Sequence, residues 1–280
     1  MNMDSNLFTS TKLLFGQGKL NELGNQKLPG KNASLLISRG KSVKVNGTLD
    51  RVKAQLEKTG VTYTICNNIY ENPSKEVVME AAACAKENGC DFILALGGGV
   101  VLDVAVAVAA MATSLGDLWD YVCGGTGKVR PLQHPGLPIV TIATTSGTGL
   151  EINCRGVISN HETNEKIGFG TPELNPVLAI VDPELMRTVL AKCTVYQGFD
   201  ALFHNTEVMI SHFVNMLSEP IALSAIEHVA QYLLRAVKDD DMEVREAVVY
   251  GSMIAGHSME HAMSAYHHDL PHGAGLIMCN

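Results

Sequence analysis

Five of the chain's ten histidines fall between positions 257 and 272, in HSMEHAMSAYHHDLPHG. Imidazole at that density serves proton transfer or metal ligation. A nucleic-acid surface would instead use Lys and Arg and give a positive domain, whereas 21 of those here face 29 Asp and Glu, for a net charge of −8. Nucleic acid is therefore not an expected partner. His257 and His261 stand one helical turn apart, and His272 sits in a Pro-His-Gly turn from which Gly273 can begin another helix. Upstream, YQGFDALFHNTE sets Asp200 and His204 four apart, so both project from one face of a helix. A carboxylate and three imidazoles from three separate elements could converge on one divalent cation. Each pair taken alone serves equally as a solvated helix face or a helix-end contact. His267 and His268, being adjacent, face different ways and are not read as joint ligands.

Two glycine-bearing loops offer a second kind of chemistry. In LALGGGVVLDVAVAVAA, Gly97, Gly98 and Gly99 follow an apolar run and open a helix, so backbone N–H groups at a helix N-terminus can approach a diphosphate. A lone GGG turn also serves tight strand-to-helix packing. In IATTSGTGLE the hydroxyls of Thr144, Thr145, Ser146 and Thr148 stand beside Gly147 and Gly149, donors suited to phosphate, ribose or the nicotinamide amide. Ligands of parallel sheets bind beyond the carboxyl ends of the strands, and two such loops in one sheet favour a dinucleotide. After SLLIS the turn SRGKSVKVNG lacks the acidic residue that many NAD-binding proteins place on the ribose. It offers Arg39, Lys41 and Ser42 to a 2′-phosphate, which favours NADP(H) over NAD(H).

The elements that must position these groups follow from the hydrophobic pattern. Short apolar runs at 34–38, 61–65, 91–96 and 137–143 alternate with helical patterns such as NGTLDRVKAQLEKTG, where Leu49, Val52 and Leu56 share a face. That alternation predicts an α/β fold with a parallel, Rossmann-like sheet. A further run, VLAIVDPEL, closes the pattern at Asp-Pro, and beyond about Thr194 only long amphipathic stretches remain. The expected organisation is a dinucleotide-binding α/β domain over 1–184 and a helical, metal-binding domain over 185–280. KDDDMEVRE reads as a solvated acidic turn. No signal-peptide pattern or membrane-length apolar run occurs, and the seven cysteines are scattered without CxxC spacing. Those features predict a cytoplasmic protein with reduced thiols and no membrane partner.

Taken together, GGGVVLDVA, TTSGTGLE, GFDALFH and EHAMSAYHHDLPHGAGL resemble the iron-containing alcohol dehydrogenase family, in its branch of butanol dehydrogenases and aldehyde reductases. The resemblance spans essentially the whole chain. It implies a metal in a cleft between a nucleotide-binding and a helical domain, NAD(P)-dependent interconversion of small alcohols and aldehydes, and a homodimer. By its pattern Asp200, His204, His257 and His272 are the metal ligands, and His261 is the neighbouring proton-handling residue. Gly97, Gly98, Gly99, Asp103, Thr144, Thr145, Thr148 and Lys166 match dinucleotide contacts. Carboxylate and imidazole suit Fe(II), Zn(II) and other ions, and intrinsic affinity favours zinc, so iron is an implication of the resemblance.

Departures from the family pattern shape the expectation. Val100, Val106 and Leu150 stand where relatives usually have Ser, Lys and Ser, the stretch before His257 reads as shortened, and the chain ends at GAGLIMCN where relatives continue into further helices. The expectation is an incomplete helical domain with reduced turnover. Two alternatives accompany the alcohol dehydrogenase reading: a truncated pseudoenzyme or assembly partner that binds metal or nucleotide without turnover, and a glycerol dehydrogenase-like polyol oxidoreductase.

Overall fold

The computed structural model describes residues 10–212, 214–239 and 241–262, with side chains described as far as Gly256. Eight strands occur among these residues. Six form one parallel sheet: β1 (Lys12–Phe15), β2 (Asn32–Ser38), β3 (Thr62–Ile69), β4 (Phe92–Gly97), β5 (Ile139–Ala143) and β8 (Leu178–Val181), in the order β1-β8-β5-β4-β2-β3. Between β5 and β8 the chain makes an antiparallel hairpin of β6 (Gly156–Asn160) and β7 (Glu165–Phe169). The helices of this part are α1 (Ser42–Val45), α2 (Thr48–Thr59), α3 (Lys75–Glu87) and α4 (Gly99–Met111).

The central strands β2, β4, β5 and β8 are buried on both faces, which is why they read as continuous apolar runs, whereas the outer strands β1 and β3 are partly exposed. Leu35, Ile37, Leu94, Leu96, Val140 and Ile142 point to one side and pack with Leu49, Val52 and Leu56 of α2. Leu36, Ile93 and Ala95, from the alternate positions, point to the other and pack with α3 and α4. From Val101 to Met111 every residue of α4 except Asp103 is buried. Its valines carry a mild helix penalty, which burial on all sides outweighs.

Strand order fixes where a ligand would lie. From β2 the chain moves outward to β3, then crosses back to β4 and continues the opposite way to β5 and β8. The reversal falls between β2 and β4, the topological switch point where open parallel sheets bind ligands. The Asp-Pro that closes the apolar pattern has a structural role. The Asp182 carboxylate is fully buried and accepts the N–H groups of Gly18, Leu20 and Glu184 at 3.0–3.1 Å.

The later helices are α5 (Ala191–Ile210), α6 (Ser218–Lys238) and α7 (Met242–Ala262). Within the acidic segment, Asp241 accepts the Glu243 N–H at 3.0 Å and so starts α7. The chain divides into two compact units, one comprising Ser10–Thr144 with Leu150–Leu185, the other Thr145–Gly149 with the residues from Met186 on. The second glycine-bearing loop thus belongs with the helices. No described helix is long and apolar enough to cross a membrane.

Candidate active site

In the α/β unit the loops at the switch point emerge side by side. Ile37 is registered with Leu96 and Gly97 with Ala143, so residues 39–42, 97–99 and 144 follow neighbouring strand ends. The Arg39 N–H donates to the Ile69 carbonyl at 2.6 Å and the Thr144 N–H to the Gly97 carbonyl at 3.0 Å, which fixes these exits. Gly97 fulfils the packing role left open above: a β-carbon there would stand 2.5 Å from Val101 Cγ2. Gly98 is extended, α4 begins at Gly99, and no side chain caps that helix, while the Val101 N–H turns back to the Gly98 carbonyl at 2.9 Å. Arg39, Lys41 and Ser42 are exposed at the end of β2.

Asp103 and Lys166 reach this edge by way of the hairpin. Asp103, one turn into α4, accepts the Val157 N–H at 2.9 Å and so ties β6 to α4. Lys166 is exposed on β7 and donates to Asn72 Oδ1 at 3.1 Å. At the departures from the family pattern the chain presents packed side chains: Val106 is buried in the α4 core, and Val100 and Leu150 lie against it. Glu151 is 2% exposed in the 3₁₀ turn after the second loop, and burial pushes its carboxyl up to about 7.

In the helical unit Asp200 and His204 lie on one face of α5, with Asp200 Oδ1 3.8 Å from His204 Nε2 and the imidazole 6% exposed. The separation is less than two metal–ligand bonds of about 2.1 Å laid end to end, so one cation can reach both atoms. These two residues fit a metal ion. His257 and His261 fall in the last turns of α7, but their side chains lie outside the described residues, as does all of His272. Among the described residues no group of three His, Cys, Asp or Glu side chains gathers to hold a metal.

The loop 145–149 is fastened to the helices that carry these ligand candidates. Ser146 donates through its N–H and its hydroxyl to Gln197 Oε1, each at 3.3 Å. The Gly147 N–H donates to Ser252 Oγ on α7. A β-carbon at Gly147 would stand 3.0 Å from Asp200 Oδ2, so the loop backbone runs beside the Asp200 carboxylate. Gly149 meets Gly256 backbone to backbone, and a β-carbon on Gly256 would overlap the Gly149 carbonyl oxygen and come 2.6 Å from its carbon. Thr145 and Thr148 are half-buried in this loop. Gln197 stands in the stretch YQGFDALFHNTE without a role read from it, and Ser252 and Gly256 belong to no motif in the sequence. The only local signal is the small-residue spacing Gly251, Ser252, Ala255, Gly256 in one helix, which marks a close backbone approach.

Residues 10–183 match the family model described as iron-containing alcohol dehydrogenase, and residues 194–278 match that of the family's C-terminal part. The chain belongs to the iron-containing alcohol dehydrogenase family. It is accordingly an oxidoreductase of the alcohol dehydrogenase type, with a parallel-sheet domain followed by helices. It is 36% identical over 285 residues to the probable NADH-dependent butanol dehydrogenase 1 of Bacillus subtilis, covering 96% of this chain and 72% of that protein. To the 1,3-propanediol dehydrogenase of Klebsiella pneumoniae it is 31% identical over 264 residues, covering 93% and 67%. The crystal structure of NADH-dependent butanol dehydrogenase A from Thermotoga maritima superposes with a TM-score of 0.85 at 32% identity, covering 98% of this chain and 72% of that one.

Proposed function

We propose that this chain reduces short straight-chain aldehydes to primary alcohols, and runs the reverse oxidation, with Fe(II) and a nicotinamide dinucleotide. The observation that carries this reading is the Asp200–His204 pair on α5, with the backbone of Gly147 running beside its carboxylate. Relatives named for butanol and 1,3-propanediol support a substrate of three or four carbons. In this reading Asp200 and His204 hold the ion from α5, and His257 and His272 complete its ligand set. When bound, the ion supplies a Lewis acid for the substrate oxygen. The amides of Gly98 and Gly99 take the diphosphate at the α4 N-terminus, with Asp103 and Lys166 positioning the hairpin that borders it. Thr144, Thr145 and Thr148 hold the nicotinamide half. Gln197 and Ser252 keep the loop 145–149 in place from outside the cofactor's own contacts. The dinucleotide would supply the hydride, and His261 would hold the proton exchanged at the substrate oxygen. Arg39, Lys41 and Ser42 surround the adenosine ribose, and their charge gives a preference for NADP(H) over NAD(H).

The test is oxidation of NADPH and of NADH by butanal, followed by loss of reduced-nicotinamide absorbance after anaerobic loading with Fe(II). Aldehyde-dependent oxidation, with the lower KM for NADPH, is the predicted result. Ser252→Ala should raise the cofactor KM by on the order of tenfold, because the Gly147 N–H then loses a buried acceptor, and should move kcat less. Absence of aldehyde-dependent oxidation with either cofactor would contradict the reading.

A further inference from the structure

Away from these loops, the α/β unit holds a pair of thiols that the reaction does not use. Cys66 lies on β3, the outer strand of the sheet, and Cys84 on α3, and their sulfurs stand 3.1 Å apart. Both residues are partly exposed, and none of the described cysteines is bonded to another. A disulfide bond measures about 2.05 Å, so closing this gap requires a displacement of about an ångström. The pair sits in a polar setting: Cys66 Sγ is 3.6 Å from Ser34 Oγ on β2, and Asn88 Nδ2 is 3.8 Å from Cys84 Sγ. The sheet holds Cys66 by pairing Leu36 with it in register. α3 is anchored through the buried side chains of Val77, Val78, Ala81, Ala82 and Ala85. The two sulfurs are therefore presented to each other by rigid elements and not by loops.

We propose that Cys66 and Cys84 form a modification site, a dithiol that small-molecule disulfides of the glutathione type convert into an intrachain disulfide. The exchange balances in two steps. Cys84 attacks one sulfur of oxidised glutathione, its proton passing to the first glutathione released. Cys66 then attacks the Cys84 sulfur of the mixed disulfide, its proton passing to the second glutathione. Two protein S–H bonds are lost, one protein S–S bond forms, and the two electrons leave as two glutathione thiols. Burial and the neighbouring Cys84 push the Cys66 thiol up to about 12, so Cys66 takes the second, intramolecular step, where proximity offsets its low thiolate content. The bridge would fasten the sheet's outer strand to α3. It would also close the loop that carries Asn72, the partner of Lys166.

The purified full chain is incubated with oxidised glutathione, blocked with an alkylating reagent under denaturing conditions, and digested for mass spectrometry. The expected result is one linked peptide pair containing Cys66 and Cys84, with the other five of the seven cysteines alkylated. Cys66→Ser should leave a glutathione adduct on Cys84 instead of a link. Seven alkylated cysteines after treatment that oxidises a free peptide dithiol, or a link joining Cys84 to Cys90 in place of Cys66, would overturn the proposal.

Discussion

Gly256→Ala is expected to lower kcat/KM for aldehyde reduction by about a hundredfold, the scale on which a displacement of about 1 Å near a reacting centre acts. The added methyl would overlap the Gly149 carbonyl oxygen and stand 2.6 Å from the Gly149 carbon, and both are backbone atoms that no rotamer change can move. Relief requires the loop 145–149 to lift from α7. That movement breaks the Gly147–Ser252 hydrogen bond and withdraws Thr145 and Thr148 from their positions. Overpacking of this kind also costs about 1–3 kcal/mol of stability. Parallel steady-state kinetics and thermal unfolding of both proteins check the prediction. Unchanged kcat/KM in a folded Gly256→Ala protein would mean that the contact does not set the loop.

Glu151→Gln is expected to stabilise the protein above pH 7, by up to about 3 kcal/mol. The carboxyl is 2% exposed, and burial raises its pKa from 4.5 to about 7. As pH rises between those values, the unfolded chain gives up this proton while the folded chain keeps it, so the folded state loses stability over that window and then levels off. Glutamine keeps the shape of the neutral acid and does not ionise, which removes the loss. Carboxylates with lowered pKa act in the opposite sense. Glu165, brought down to about 2 chiefly by the Thr126 and Thr163 hydroxyls, stabilises above pH 4.5 and loses that contribution as the solution becomes more acidic. Both proteins share that contribution, so it cancels in the difference between them. Denaturant melts of the two proteins at pH 5 and pH 8 measure the effect. Equal stabilities at pH 8 would show that Glu151 ionises without penalty.

The central strands and the α2 face were legible because burial on both sides of a parallel sheet writes itself as apolar runs, and one-sided burial of a helix as Leu49, Val52 and Leu56. β1 and the β6–β7 hairpin were not. β1 does not alternate, with Lys12 and Leu13 both exposed and Leu14 and Phe15 both half-buried, and Val157 and Lys166 of the hairpin face outward. The spacing of Asp200 and His204 anticipated their shared face on α5, since four residues make about one helical turn. Gln197, Ser252 and Gly256 escaped notice because their role exists only once the loop 145–149 is folded against α5 and α7. Glu151 ends the loop motif IATTSGTGLE, yet its burial depends on the packing of its 3₁₀ turn against α4, β5 and β8. The same holds for Cys66 and Cys84, 18 residues apart and joined only by the packing of α3 against β3.

The central claim is that α5 carries half of a metal site through Asp200 and His204. It is tested most directly by the metal content of the anaerobically purified chain beside that of a variant carrying both Asp200→Ala and His204→Ala. The account predicts about one ion per wild-type chain, consistent with a single four-ligand site, and its loss in the variant with the helical circular dichroism retained. An ion held equally by both proteins, or by neither after loading with Fe(II), would contradict it.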